Sequence, residues 1–339
     1  MNKIAYSISV LLLGISLITC ENNIMRKWWR TDELSELYID NVFIKESSLA
    51  EILKYIRGNI HDNTFYTIQM GSDSAISPEE GRLHYENKSG VTICIAGKNG
   101  IRTISLSENA KGSLFTVGSD VTLILNKNII LRGHDHNNVA LVKVSKKGTL
   151  VMEDGSEITG NNNHYDKTAW ANGGGREPPE AMGGGICVIN GSFIMNGGEI
   201  HDNKTNLNGA GIILLEDSTG VMNGGKIYNN NAVFDGGGIN VTASGFTMRG
   251  GVIYGNKAGW GGGVRININN SRHYFRKEPA VGSVTSGIIY GSDAAGNLAN
   301  KASSYGDAVA QYGTFNAKRT RTLDENTQIS TDNRSTGWD

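Results

Sequence analysis

A motif of small residues followed by two apolar residues recurs through the middle of this chain at a nearly constant interval: GGGICV, GAGIIL, GGGINV and GGGVRI. Counted at the last glycine, the steps are 26, 27 and 25 residues, at Gly185, Gly211, Gly238 and Gly263. A second motif keeps the same period, with its methionine at Met195, Met222 and Met248. Two independent motifs in one register indicate a repeat architecture in which each copy is one structural unit.

Each copy alternates inner and outer residues with a period of two, which is the spacing of β-strands. The first strand follows the glycines, as in Ile186 and Val188, and the second holds the methionine. A third strand carries a single isoleucine, at Ile200, Ile227 and Ile253. Three short strands at a fixed period cannot return on themselves as hairpins, but they can form one turn of a coil that stacks on the next at about 4.8 Å. The sequence therefore predicts an all-β parallel β-helix.

Glycine and asparagine have structural roles in such a coil. The chain contains 45 Gly and only 4 Pro, whereas disordered low-complexity chains are usually rich in both. Glycine supplies the positive φ angles that the corners need. The asparagines after each third strand, Asn203, Asn230 and Asn256, are expected to stack so that each amide bonds the next in a ladder.

Less regular strand-like segments extend the coil in both directions, which predicts seven or eight turns over residues 90–317. The ends of an open β-helix expose strand edges that need covers. Residues 21–89 are predicted to be a linker that contains one capping helix. The helix is predicted in SSLAEILKYIRG, which has a capping box at Ser48 and Glu51 and one apolar helical face. Residues 318–339 are expected to form a loose cap or a disordered tail.

Residues 1–20, MNKIAYSISVLLLGISLITC, are typical of an export signal. Lys3 precedes an apolar run over residues 8–18 that is too short to span a membrane as a helix. The ending LITC resembles a bacterial lipobox, in which Cys20 would become the lipidated first residue of the mature protein. The alternative is an ordinary signal peptide with a chance cysteine, and either reading predicts an exported protein.

The GGGI, GAGI and GGGV elements resemble the repeat of polymorphic outer-membrane proteins, which pair such an element with F-x-x-N. Phe193–Asn196 (FIMN) carries the second element. More broadly, residues 90–315 are similar to right-handed parallel β-helix proteins of the pectate-lyase-like superfamily, and with the lipobox the chain looks like surface lipoproteins of spirochaete type. The resemblance implies a right-handed coil. It implies no single function, since lyases, hydrolases, tailspikes and adhesins share the fold.

One aromatic column recurs with the repeat. The residue after each third-strand isoleucine is aromatic in four successive copies: His201, Tyr228, Tyr254 and Tyr290. If the isoleucines face inward, these rings face outward and stack along the axis. They are a candidate strip for sugar rings or a protein partner. Alternatively, the stacked side chains only stabilise the coil.

Two insertions interrupt the period, at residues 161–183 and 269–282. Insertions in a solenoid form loops on one side of the turns, often the binding side. Trp170, Tyr274 and Phe275 give these loops aromatic anchors next to Arg and Lys, a combination typical of binding hot spots. Alternatively, the loops are inert covers folded over the coil.

A carbohydrate-active enzyme on this fold needs carboxylates gathered on one outward face. Asp202 and Asp235 fall at different points of the repeat, and the sequence shows no column of carboxylates. His134, Asp135 and His136 could ligate a metal, although a solvated loop is the simpler interpretation. We therefore predict no catalytic residue, no metal site and no cofactor.

Charge and cysteine usage limit the partners. The chain has 32 basic and 33 acidic side chains, a net charge of −1, which gives no electrostatic reason to expect nucleic acid as a partner. Cys94 and Cys187 lie in strand-like segments, and cysteine count alone does not decide whether they pair.

The expected function is non-catalytic. The sequence favours an exported lipoprotein, anchored to the membrane through Cys20 at the cell outer membrane or cell surface, that binds envelope or host glycans or proteins as an adhesin does. The alternative is a polysaccharide lyase or glycoside hydrolase on the same fold.

Overall fold

The computed structural model describes residues 34–118, 120–166, 168, 178–267, 281–290, 296–305, 309–312 and 328–329. Within these residues the protein is an all-β parallel solenoid of about seven turns, as predicted. Each turn contributes one strand to each of three long sheets, and the later turns add a fourth strand to a smaller sheet.

Sheets 1 and 2 hold the strands that the methionine motif and the third-strand isoleucines predict, and the strand counts given for all four sheets refer to the described residues. Sheet 1 has ten strands: Val42–Ser47, Ser35–Ile39, Phe65–Met70, Val91–Gly97, Val121–Leu125, Thr149–Met152, Ser192–Met195, Thr219–Met222, Gly245–Met248 and Val281–Val284. Sheet 2 has nine: Ser74–Ile76, Arg102–Leu106, Ile129–Arg132, Ser156–Thr159, Glu199–His201, Lys226–Tyr228, Val252–Tyr254, Ile288–Ile289 and Gln328–Ile329.

Sheets 3 and 4 complete each turn. Sheet 3 follows the glycine motif and has eight strands: Arg82–Leu83, Phe115–Val117, Val142–Ser145, Ile186–Ile189, Ile212–Leu215, Ile239–Thr242, Val264–Asn267 and Val309–Tyr312. Sheet 4 has five: Asn162–Asn163, Lys204–Thr205, Asn231–Ala232, Lys257–Trp260 and Lys301–Tyr305. Within the described residues, two 3₁₀ helices lie at Pro179–Ala181 and Gly296–Leu298.

The solenoid begins before residue 90. Phe65–Met70 pairs in parallel with Val91–Gly97, and the two short strands that follow it pair with the next turn in the same way. The first turn therefore lies inside the segment 21–89 that the sequence assigns to a linker and cap. Its second and third strands are only three and two residues long, so they show no alternation that periodicity could detect.

The N-terminal cover is the helix Leu49–Gly58. The Ser48 side chain accepts a hydrogen bond from the backbone N–H of Glu51 and so caps the first turn of the helix. One face of the helix is buried in the main core and consists of Leu49, Ile52, Leu53 and Ile56. The predicted apolar face thus closes the end of the core.

The asparagine ladder forms and is longer than the repeat predicts. Asn203 donates through Nδ2 to Oδ1 of Asn230 at 3.2 Å, Asn230 to Asn256 at 3.0 Å, and Asn256 to Asn300 at 3.0 Å. Asn161 precedes this run, and its backbone N–H donates to Oδ1 of Asn203. All these side chains are fully buried. The ladder satisfies polar backbone groups inside the corner, where no strand pairing is available.

Two outer faces carry apolar clusters of their own. On sheet 1, Cys94 packs with Ile124 and Val151, while on sheet 3 Cys187 packs with Ile213 and with other apolar side chains. The two cysteines are therefore on different sheets and are not bonded to each other. Burial raises the pKa of the Cys187 thiol to about 12, which keeps it protonated and unreactive at neutral pH.

Several predicted features lie outside the described residues. They are the signal segment 1–20 with Cys20, the loop aromatics Trp170, Tyr274 and Phe275, and most of the tail 318–339. Within that tail, Gln328–Ile329 is described and adds a parallel strand to sheet 2. In the portion of the chain that the structure covers, no helix combines the length and the apolar character needed to cross a bilayer.

Candidate functional site: the outer face of sheet 2

In-register pairing decides which side chains share the outer face of sheet 2. The third-strand isoleucines pair with one another from turn to turn and are fully buried. Because side chains alternate along a strand, the residues on either side of each isoleucine point outward. The outer column after the isoleucine runs through Arg132, Thr159, His201, Tyr228 and Tyr254. The predicted outward orientation of the aromatic column is therefore confirmed.

The rings of this column stack closely. The ring centroids of His201 and Tyr228 are 4.7 Å apart with an interplanar angle of 8°, and those of Tyr228 and Tyr254 are 4.9 Å apart at 4°. Tyr290 departs from the stack, since its ring meets that of Tyr254 edge-on at 6.5 Å and 86°. Parallel rings at the strand spacing cover much of one another's faces. The stack therefore presents ring edges and hydroxyl groups to solvent, rather than open faces for a sugar ring.

His201 lies between two carboxylates at the first end of the stack. Its Nδ1 is 2.7 Å from Oδ2 of Asp202, and its Nε2 is 3.4 Å from Oε2 of Glu157. The Thr159 hydroxyl is also within hydrogen-bonding distance of Nδ1, at 3.2 Å. Only 15% of the His201 side chain is exposed. The imidazole is thus held in one orientation from both sides, as a fixed part of the surface.

Glu199 is the centre of a second polar cluster. It accepts hydrogen bonds from Lys226 Nζ at 2.9 Å and from the Tyr228 hydroxyl at 2.7 Å. Partial burial alone would raise the pKa of Glu199, but the two hydrogen bonds, together with the positive charge of Lys226 and a smaller contribution from His201, outweigh it, and the net pKa is lowered. The pKa of Tyr228 is raised, first by burial and then by its bond to the carboxylate. Glu199 is therefore ionised at neutral pH, and Tyr228 keeps its proton.

Two carboxylates occur in one column, which the sequence analysis did not expect. Glu157 and Glu199 pair directly in adjacent turns, at the position before the inner isoleucine. The prediction that no carboxylates align was wrong at this point. The signal was present in the sequence, because Glu precedes the isoleucine in both SEIT and GEIH. The repeat does not reveal it, because the stretch from Met152 to Ile158 is one residue longer than the stretch from Met195 to Ile200.

The same face continues toward the N-terminal end as a shallow depression of about 400 Å³. It is lined by side chains from three successive turns: Asp73, Ser74, Ala75, Thr103, Ser105 and Arg132. Arg132 is exposed and lies one turn before Thr159 in the outer column. The outer face of sheet 2 therefore has two adjoining parts. One is a polar depression with an exposed cation, and the other is the aromatic stack.

The other candidates from the sequence do not gather into a site. His134 bonds the backbone oxygen of Ala110 through Nε2 at 2.8 Å and accepts from the His136 backbone N–H through Nδ1, so both of its nitrogens are used within the protein. Asp235 lies beside Arg265, with its Oδ2 3.8 Å from the Arg265 Nε, whereas Asp202 contacts His201. Among the described residues, no group of three or more His, Cys, Asp or Glu side chains is placed to hold a metal ion.

The described end of the first insertion acts as a cover. The Cys187 thiol donates to the backbone oxygen of Pro179 at 3.6 Å, and Met182 packs on the apolar cluster of sheet 3. The 3₁₀ helix Pro179–Ala181 therefore lies against the outer face of that sheet. For this part of the insertion, the structure favours the interpretation as a cover.

Sequence and structure comparisons give no relative: no protein-family model, no curated protein and no solved structure matches the chain. The resemblance to polymorphic outer-membrane proteins and to the pectate-lyase-like superfamily therefore rests on the repeat alone.

Proposed function

We propose that this protein is an exported, lipid-anchored protein of the cell envelope, and that its solenoid is a rigid, non-catalytic binding surface for a glycan or a protein, as in adhesins. The observation that carries the proposal is the outer face of sheet 2, where the stack of His201, Tyr228 and Tyr254 is fixed in position and half-buried. Preorganised aromatic and charged groups lose little conformational freedom on binding. We also propose that the coil is right-handed and that the protein is related to polymorphic outer-membrane proteins.

The geometry of the stack indicates how a ligand would be held. Ring edges, the Tyr254 hydroxyl, Lys226 and Asp202 offer hydrogen bonds and charges rather than open aromatic faces. Such a surface suits a ligand that is itself rich in hydroxyl, amide or charged groups. Arg132 in the neighbouring depression adds a cation for an acidic group of the same ligand.

The alternative, a glycoside hydrolase or lyase, is favoured by the pairing of Glu157 with Glu199. A glycosidase needs one carboxyl group that keeps its proton near neutral pH. Glu199 has the opposite character, because Lys226 and Tyr228 hold its pKa below the usual range. Glu157 is engaged with His201. The cluster is thus better suited to fixing the stack than to transferring protons.

Replacing both Tyr228 and Tyr254 by Ser is expected to weaken ligand retention by at least about tenfold, since truncating a binding hot spot costs more than about 1.4 kcal/mol. The measurement is retention of a chain that begins at Glu21 on immobilised acidic and neutral polysaccharides and on envelope extracts. The matched control is Val233→Ser with Phe234→Ser, which changes two exposed apolar residues elsewhere. Equal retention by the double Tyr variant would contradict the proposed site.

The same panel separates binding from catalysis. With calcium or with a chelator, the chain is expected to retain a polysaccharide without shortening it. Shortening of any polysaccharide, lost in the Glu157→Gln variant, would replace the binding proposal with the enzyme alternative.

The Cys20→Ser variant is expected to move the protein from the membrane fraction to the soluble fraction, because the residue that would carry the lipid is absent. The measurement is fractionation of cells followed by detection of the protein. A Cys94→Ser variant is the control, since Cys94 lies within the solenoid. If an uncleaved signal keeps the Cys20→Ser protein in the membrane, the chain will be unprocessed and heavier than the parent. If the chain is processed and still stays in the membrane, that result argues against lipidation.

A further inference from the structure

A column of polar side chains, three of them lysines, lies on the outer face of sheet 4. In-register pairing from turn to turn places at its positions Lys204, Asn231, Lys257 and Lys301. All four side chains are exposed, whereas the residue that follows each of the first three is buried. Because side chains alternate along a strand, the column points outward.

This lysine column is close to the aromatic stack. Asn231 follows Tyr228 by three residues, and Lys257 follows Tyr254 by three residues. The Cα atoms of each pair are therefore at most about 11 Å apart. Between the two columns, one residue with a positive φ turns the chain from sheet 2 to sheet 4, such as Asn229 with a φ of 55°. A ligand of several sugar rings that contacts the stack can thus reach the lysine column.

The positive charge of the column is not paired within the described structure. The described strands of sheet 4 contain three Lys and neither Asp nor Glu. The ion pairs between described side chains involve none of Lys204, Lys257 and Lys301, whereas Lys226 on sheet 2 bonds Glu199. Lys257 and Lys301 pair directly in adjacent turns, and like charges in that arrangement destabilise a sheet. A bound anion would relieve this repulsion.

Two of the lysines line a shallow depression of about 340 Å³. Three successive turns contribute to it, and its polar lining comes from Asn231, Lys257, Lys301 and Ser303. The volume is at the lower end of the range for small-ligand sites, about 300–1,000 Å³, so it suits one small group. Ammonium groups bind an anion, and amide and hydroxyl groups bond the hydroxyls of a sugar. The combination therefore matches a sugar that carries an acidic substituent.

We propose that this depression binds an acidic sugar residue, carboxylated or sulfated, of a glycan that also contacts the aromatic stack. The anionic group lies against Lys257 and Lys301. The inference rests on the proposed function, because it names the chemical class of the ligand that the outer face of sheet 2 binds. A glycan is favoured over an acidic protein segment because the depression is shallow and lined mainly by polar or small side chains, whereas protein hot spots are anchored in well-packed, desolvated pockets.

The test measures retention on pairs of immobilised glycans that differ only in charge: a uronic-acid polysaccharide and its methyl ester, and a sulfated polysaccharide and its desulfated form. The protein is a chain that begins at Glu21, which keeps every described residue. The acidic member of at least one pair is expected to be retained more strongly, and added salt is expected to reduce this difference. Lys257→Gln with Lys301→Gln is expected to weaken retention of that acidic glycan by at least about tenfold. Retention of its neutral form is expected to stay unchanged.

The matched control is Lys146→Gln with Lys147→Gln. It removes the same charge from two exposed positions between sheets 3 and 1, so it is expected to bind as the parent does. Equal losses in the two Lys variants would show that net charge governs retention, and that result would overturn the proposal.

The double Tyr variant separates this inference from the proposed function. If Tyr228→Ser with Tyr254→Ser loses retention and Lys257→Gln with Lys301→Gln does not, the inference is wrong and the site on sheet 2 stands. If only the Lys variant loses retention, the acidic-sugar site is supported and the stack is contradicted as a binding site. Equal retention on poly-glutamate would overturn the inference in favour of an acidic protein segment. Absence of retention on every acidic glycan would also overturn it, whereas a ligand retained from envelope extracts would still support the proposed function.

Discussion

Replacing Asn230 by Ala is expected to lower the free energy of unfolding by roughly 3–5 kcal/mol, because several buried polar groups lose their partners at once. The side chain is fully buried. Its Nδ2 donates to the backbone oxygen of Ile200 and to Oδ1 of Asn256, each at 3.0 Å. Its Oδ1 accepts from the backbone and side-chain nitrogens of Asn203. Alanine can replace none of these bonds and leaves a cavity beside them.

The measurement is urea denaturation followed by circular dichroism, with Asn231→Ala as the matched control. Asn231 is the next residue in the same turn, but it is exposed. Its substitution is therefore expected to change the unfolding free energy by no more than about 0.5 kcal/mol. If the two variants had equal urea midpoints, the hydrogen bonds of the ladder would contribute no more to stability than hydrogen bonds to water.

Replacing Gly238 by Ala is expected to destabilise the protein by about 3 kcal/mol or more, at the upper end of the range for overpacking. A Cβ atom at this position would lie 2.5 Å from the backbone oxygen of Gly263 in the next turn, and 3.1 Å from Nδ2 of Asn256. The neighbour that would have to move is backbone. To relieve this steric clash, the two turns would have to move apart, which would also disturb the asparagine ladder.

Gly245 provides the control, since a Cβ atom there meets nothing within 4 Å. Gly245→Ala is expected to leave stability unchanged or to raise it slightly, because alanine restricts the unfolded chain. The two variants are compared by thermal unfolding at equal concentration. If both reduce the melting temperature equally, the effect comes from glycine loss in general, and the close approach of the turns at Gly238 is not its cause.

The part of the fold that the sequence predicts is the part that repeats. Two motifs with one period placed Ile200, Ile227 and Ile253 in a buried column and the asparagines in a ladder, and both are present. Periodicity works here because every turn must present the same residue type at the same corner. The pattern of one turn therefore predicts the pattern of the next.

What the sequence does not reveal lies where turns differ in length. The first turn was not detected because two of its strands, Ser74–Ile76 and Arg82–Leu83, are too short to alternate. Sheet 4 was not predicted either, since its first strand, Asn162–Asn163, has only two residues. The apolar clusters around Cys94 and Cys187 were not predicted, because strand alternation assigns a side chain to a face but does not show whether that face is covered.

The candidate site was predicted in position but not in geometry. The sequence places His201, Tyr228 and Tyr254 in one column, which is confirmed. It does not reveal that the rings cover one another's faces, or that Tyr290 turns edge-on. Ring orientation depends on side-chain torsions and on partners such as Glu199, and neither follows from strand register.

The direction of the hydrogen bonds decides how the solenoid carries force. Strands of all four sheets pair from one turn to the next, so these bonds point along the axis of the coil. Under the anchoring at Cys20 proposed above, a ligand that pulls on the far turns would load these bonds along their length, at each junction between turns. The later junctions add a strand of sheet 4 and an asparagine link. The first junctions instead have longer pairing in sheet 1, with six and five residue pairs against four at the later junctions. We therefore expect the junctions before and within the stack of His201, Tyr228 and Tyr254 to resist tension to a similar degree.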